Sequence, residues 1–183
     1  WSAVGGLTRN PHILSRSACG SSSGSGAAMS LRLASLAVGT ETNGSIICPA
    51  SINGVVGFKP TVGLLSRTHI VPISFSQDTA GPMTSNVQDA WLMTSIMAGT
   101  DASDNATLDA DSHRPAMPAS SMLATDLKGK RIGVVRYRQG DNPHVLAVYE
   151  KALNQLKASG AALVDISDFS QPDSFWADSY NVL

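Results

Sequence analysis

Arg131-Ile132-Gly133-Val134-Val135, Asn142-Pro143 and Ala162-Leu163-Val164-Asp165-Ile166 decide the fold class of this chain. The outer two are short aliphatic runs of strand length. Between them, Asn142 offers an N-cap, and Pro143 a first helical residue whose missing N–H costs nothing at that position. The helix predicted after them runs to about Ser159, with Val145, Leu146, Tyr149, Leu153 and Leu156 on its apolar side; Gly160 closes it. Strand, helix and strand in that order predict a parallel pair joined by a right-handed crossover, and so an α/β layered architecture.

Working towards the N-terminus, Ser85-Asn86-Val87-Gln88 reads as a capping box with Ser85 at the N-cap. The helix after it carries Ala90, Leu92, Met93, Ile96 and Met97 and stops at Gly99. Val55-Val56-Gly57-Phe58, bounded by Gly54 and Pro60, reads as a buried strand. Residues 60–84 are rich in Gly, Pro, Ser and Thr and are expected to be irregular. Residues 25–35 read as a buried helix through Ala27, Ala28, Met29, Leu31 and Leu33, followed by a short strand-like run, Leu36-Ala37-Val38-Gly39. The polar stretch 100–125, with Pro115 and Pro118, is expected to be a surface excursion.

Composition narrows the function classes. Of 183 residues, 43% are hydrophobic and 15% charged, which suits a buried globular interior. A net charge of −1 gives no electrostatic reason to expect nucleic acid or an anionic membrane as partner. The four histidines have no metal-ligand spacing, so no metal is expected, and no other cofactor is implied. Cys19 and Cys48 lie beside the two loops described next and could be close in space, but they are read as structural thiols rather than a disulfide framework.

Two serines 24 positions apart carry the chemistry. Ser21 lies in Gly20-Ser21-Ser22-Ser23-Gly24-Ser25-Gly26, and Ser45 in Glu41-Thr42-Asn43-Gly44-Ser45-Ile46. A helix followed by a returning strand between them could bring both loops to one end. A neutral serine is a poor nucleophile and needs a base, together with donors for the oxyanion that develops on an acyl carbon. The turn through Asn43 and Gly44 can aim successive backbone N–H groups into one hollow. Gly20-Ser21-Ser22-Ser23-Gly24 also matches a nucleophile elbow centred on Ser22, although Ser15-Arg16-Ser17-Ala18-Cys19 is a poor strand to precede one. Ser23 and Ser25 are expected to cap backbone groups.

These blocks resemble the amidase signature family. The resemblance runs through Gly20–Ser25, Gly39–Ile46, Pro49-Ala50, Gly54–Gly63, Ser66-Arg67 and Pro72-Ile73-Ser74. It continues through Gln77–Pro82, Asp89-Ala90, Ala98–Asp101 and Leu127–Val134, so it covers nearly the whole chain. Ser-Gln-Asp-Thr-Ala-Gly-Pro at 76–82 and Ser45-Ile46-Ile47-Cys48-Pro49-Ala50 look most like the peptide amidase branch. The fold implied is an α/β/α sandwich around a mixed sheet, only partly covered here. On that reading residues 1–183 are the central part of one domain: a signature core at 1–99, a connection at 100–125 and a strand–helix–strand section at 126–183.

The resemblance also implies roles. Ser45 matches the acylated nucleophile, and Ser21 the bridging serine at a cis non-proline peptide bond. The backbone N–H groups of Thr42, Asn43, Gly44 and Ser45 match the oxyanion hole. The family's third catalytic member is a lysine several dozen residues before the bridging serine; only 20 residues precede Ser21 here, and none is Lys. Such a lysine is therefore expected upstream of Trp1, the chain reads as an internal fragment, and the fragment alone is expected to be inactive. Asn43 stands where many members have Gly or Asp, Glu41 where many have Asp, and Ile47 where many have Arg. Asp78 and Arg67, both within family blocks, are expected to brace loops.

The implied activity is hydrolysis of a small amide or a peptide C-terminal amide through an acyl-enzyme on Ser45. Two alternatives stay open: an inactive truncated or pseudoenzyme form, and an amidotransferase subunit supplying ammonia to a charged tRNA. Neither the oligomeric state nor a choice between a cytoplasmic and a secreted or periplasmic location follows from the residues.

Overall fold

The structure is a computed structural model that describes residues 1–114 and 126–167. These residues fall into two compact units, one holding 1–114 and the other 126–167.

The first unit contains β1 (Ala37–Glu41), β2 (Val56–Gly57) and β3 (Thr79–Thr84), with β3 in the middle and both partners antiparallel to it. Its helices are α1 (Ser23–Ser30), α2 (Ile47–Asn53), α3 (Val87–Met97) and the short α4 (Ala110–His113), with a single 3₁₀ turn at Asn105–Thr107. The strand-like run Leu36–Gly39 supplies the first part of β1, which starts at Ala37 and continues to Glu41. The fully buried β3 lies inside the stretch expected to be irregular. Gly81 and Pro82 hid it, and both fit for physical reasons. A Cβ at Gly81 would sit 2.2 Å from the Phe58 carbonyl oxygen. Pro82 accepts the Phe58 N–H at 3.0 Å but has none to return, so the β2 ladder ends there.

Other expectations need correcting. The first helix stops at Ser30 rather than 35: Arg32 takes a left-handed φ of 56°, and Leu31 and Leu33 are exposed. The cap of α3 is Asn86, not Ser85. Its side chain accepts the Asp89 N–H at 2.8 Å and donates to the Asp89 carboxylate at 2.7 Å, so the cap sits one residue later than expected. The run 55–58 pairs only over Val56–Gly57 and is half-buried, with Phe58 exposed. Two apolar clusters hold this unit: Met29, Ile46, Ala50 and Met83 on one, Leu65, Ala80 and Ala98 on the other.

The second unit is the strand–helix–strand unit expected from its caps. β4 (Arg131–Val135) and β5 (Ala162–Ile166) pair in parallel, Arg131 opposite Ala162 and Val135 opposite Ile166. α5 (Pro143–Ala158) connects them, and Asn142 accepts the N–H groups of His144 and Val145. Of its expected apolar side only Leu153 is buried, while Leu146, Tyr149 and Leu156 are half-buried and Val145 is exposed. Of the stretch 100–125 expected to be a surface excursion, 100–114 instead buries Asp104, Thr107 and Ala110, while 115–125 and the chain after Ser167 lie outside the described residues.

Candidate active site

The outer edge of β1 carries backbone groups that β3 cannot reach, and serines satisfy them in place of a strand. Ser25 Oγ donates to the Val38 carbonyl at 2.7 Å. Ser22 Oγ donates to the Thr40 carbonyl at 3.0 Å and accepts the Thr40 N–H at 3.1 Å. The three-residue step along α1 thus matches the two-residue step along β1. This latch fixes the Ser21 loop against the end of β1, where the Ser45 turn begins. It also commits the Ser22 hydroxyl on both sides, which weighs against Ser22 as an elbow nucleophile. Ser23 Oγ donates to the Cys19 carbonyl, so Ser23 and Ser25 do bond backbone groups as expected.

Glu41 shapes the turn itself. Its buried carboxylate accepts N–H groups from Gly44 at 2.8 Å, Ile46 at 2.8 Å and Ile47 at 2.9 Å. Gly44 has a φ of 88°, which glycine adopts without strain. Ile46, fully buried, sits on a floor made by Gly39 and Gly81, which face each other across β1 and β3. A Cβ at Gly39 would come within 3.1 Å of Ile46, and one at Gly81 within 2.9 Å. The neighbour of Ser45 is therefore seated to a fraction of an ångström.

The two loops meet. Ser22 donates its backbone N–H to the Ser45 carbonyl at 3.2 Å, and the Gly20–Ser21 peptide bond is cis. Cys19 and Cys48 form a disulfide, with Cα atoms 6.0 Å apart. This corrects the expectation of two free thiols: the backbone contact that joins the loops also brings the cysteines within bonding reach. Asn53, fully buried, adds a third tie by donating to the carbonyls of Ala18 at 2.9 Å and Pro49 at 2.7 Å.

Ser45 is half-buried and Ser21 exposed, and neither hydroxyl makes a hydrogen bond among the described residues. Of the four expected oxyanion donors, Gly44 already gives its N–H to Glu41. The N–H groups of Thr42, Asn43 and Ser45 have no partner among the described residues. Sequence reasoning took Glu41 only as a conservative replacement and missed its part in the turn. The available signal was an acidic residue three positions before a glycine.

Comparison with known proteins decides the family. The amidase family model matches residues 2–183. This chain belongs to the amidase family. It is 47% identical to the native peptide amidase of Stenotrophomonas maltophilia, with a TM-score of 0.81 over 97% of this chain and 36% of that one. An amidase family protein of Bacillus anthracis is 39% identical, with a TM-score of 0.78 over 90% of this chain and 32% of that one. A glutamyl-tRNA(Gln) amidotransferase subunit from Leptospira interrogans is 41% identical over 90% of this chain and 33% of its own length. The chain thus spans about a third of the relatives it matches, and it carries their mixed α/β fold.

Behind the turn, this amidase-family chain buries a charged network. Arg67 forks onto Asp104, Nε to Oδ2 at 2.9 Å and Nη2 to Oδ1 at 2.7 Å, and its Nη1 reaches the Phe75 carbonyl at 2.5 Å. That fork holds the Asp104 carboxyl well below the usual carboxylate range, against the opposing effect of burial. Ser66 and Thr68 hydroxyls lower Asp101 to about 2. Burial pushes Asp78 up, but hydrogen bonds from Thr42, Ile73 and Ser74, with the charge of Arg67, bring it below its ordinary value. No three His, Cys, Asp or Glu residues among those described are grouped to hold a metal ion. No helix among them is long and apolar enough to cross a membrane.

Proposed function

We propose that the full protein is an amide hydrolase in which Ser45 is the nucleophile and Ser21 the proton bridge. The observation that carries this reading is the bond from the Ser22 N–H to the Ser45 carbonyl, 3.2 Å, which joins the two serine loops. In the proposed reaction Ser45 Oγ attacks the amide carbon. Its proton passes through the Ser21 hydroxyl to the amine of the lysine that the family resemblance implies upstream. The oxyanion meets N–H groups of the turn, with Asn43 and Ser45 as the available donors beside Thr42. Collapse of the intermediate expels ammonia or an amine, which takes the proton back along the relay and leaves an ester on Ser45. Water, deprotonated by the same relay, attacks the ester and releases the acid.

A peptide C-terminal amide is the substrate favoured by the likeness to peptide amidase. Ammonia release from a C-terminally amidated dipeptide by the full-length protein tests this. Turnover by wild type and its loss in Ser45→Ala and Ser21→Ala support the reading; full turnover in Ser45→Ala contradicts it.

The likeness to the glutamyl-tRNA(Gln) amidotransferase subunit favours a second reading, in which the ammonia is passed to a charged tRNA. Glutamine hydrolysis that appears only with partner subunits would favour it, and dipeptide amide hydrolysis by the protein alone would count against it.

A further inference from the structure

Among the described residues, Asp78 is the buried side chain that hydrogen-bonds the loop 41–47 from outside it. Its Oδ1 accepts the Thr42 hydroxyl at 2.5 Å. Its Oδ2 accepts two backbone N–H groups, from Ile73 at 2.8 Å and Ser74 at 2.9 Å. Only 8% of Asp78 is exposed, so its carboxylate is largely out of solvent and is met by these three donors. Thr42 is the first residue past β1, and its backbone N–H has no partner among the described residues. Thr42, Asp78, Val71 and Ile73 line one small hollow with Thr40 and Glu41. Glu41 therefore fixes the far half of the turn, while among the described residues Thr42 is held through its hydroxyl alone.

We propose that Asp78 is a positioning residue: it aims the Thr42 end of the oxyanion turn through the Thr42 hydroxyl, and ties the loop bearing Val71 and Ile73 to the same point. This rests on the reading of Ser45 as nucleophile. Asp78 touches no reacting atom. Its effect is geometric, and small displacements of an oxyanion donor are costly because stabilisation depends on aim. A carboxylate serves here better than a neutral amide, because charge strengthens all three bonds and an amide keeping the two N–H bonds would turn its NH2 towards Thr42 and reverse the direction of that contact.

The test uses the full-length protein and the amidated dipeptide. Thr42→Val keeps the shape and removes the hydroxyl, whereas Thr42→Ser keeps the hydroxyl. Thr42→Val is expected to lower kcat roughly 10–100-fold with KM within about threefold, and Thr42→Ser to stay within about threefold of wild type. Asp78→Asn is expected to lower kcat similarly, and the Asp78→Asn/Thr42→Val double variant to lose little more than either single one. Unchanged kcat in Thr42→Val, or losses that multiply in the double variant, overturns the proposal. If Asp78→Asn does not fold, the Thr42 pair still decides. Wild-type turnover lost in Ser45→Ala with Thr42→Val at full rate sinks the positioning role alone; full turnover in Ser45→Ala sinks both.

Discussion

Arg67 and Arg136 make the same kind of contact in two different settings. In the first unit Arg67 and Asp104 form a two-pronged pair whose side chains are 14% and 8% exposed. In the second, Arg136 reaches Glu150 and Asp165, and the three side chains are 36%, 48% and 66% exposed. The difference follows from what each region asks of its side chains. β4, α5 and β5 satisfy their own backbone through regular ladders and caps, and charges there only decorate the surface. The serine-loop unit has a cis bond at Gly20–Ser21, a left-handed Cys19 and long irregular stretches. Its backbone groups are met by buried side chains instead: Glu41, Asn53, Asp78 and Asp104. Where irregular backbone has to be held still, buried polar groups do it.

The largest expected effect is at Asp104. Asp104→Ala leaves Arg67 with no carboxylate and strands the N–H groups of Arg67 and Ala106. Partial exposure places the cost at about 2–4 kcal/mol, somewhat under that of breaking a fully buried pair. Denaturant unfolding of the full-length protein measures it. Next comes the disulfide, which closes a loop of sequence separation 29. Removing it with Cys19→Ser/Cys48→Ser is expected to cost up to about 3.6 kcal/mol on the loop-entropy account, less whatever structure the unfolded chain retains. Ser21 should then become less well held, so kcat falls; equal stability and equal kcat would break the account of the two loops.

Acid sharpens the same contrast. Asp78, Asp101 and Asp104 all ionise more readily folded than unfolded. Groups lowered in this way stabilise the fold fully above the unfolded carboxylate value of about 3.9, and that stability drains away as pH falls towards the folded values. For Asp101 the folded value is about 2. Stability of the full-length protein is therefore expected to drop between about pH 4 and pH 2, less steeply in Asp104→Asn. The smallest effect belongs to Arg136→Ala, whose exposed pairs are expected to shift Tm by no more than about 2 °C. A shift as large as that of Asp104→Ala would erase the distinction between the two regions.

The same contrast explains what was legible. The second unit could be read residue by residue, because caps, period and a closing glycine are local signals: Asn142-Pro143 and Gly160 mark its helix. The site could be read only in its serines and family blocks. β3 was missed because Thr79–Thr84 is chosen for close approach, a glycine under the Phe58 carbonyl and a proline where the ladder ends, and not for strand propensity. The disulfide, the hold of Glu41 on three N–H groups and the Asp78–Thr42 bond depend on contacts across 3 to 36 positions, which spacing alone does not disclose.

The central claim is that Ser45 is the residue acylated. The full-length protein, mixed with a slowly deacylating ester of an acyl amino acid and quenched in acid, can be digested and mapped by mass spectrometry. The account predicts the acyl group on Ser45, absent in Ser45→Ala and slow to form in Ser21→Ala. Acyl on Ser22, or turnover with no acyl group on Ser45, would contradict it.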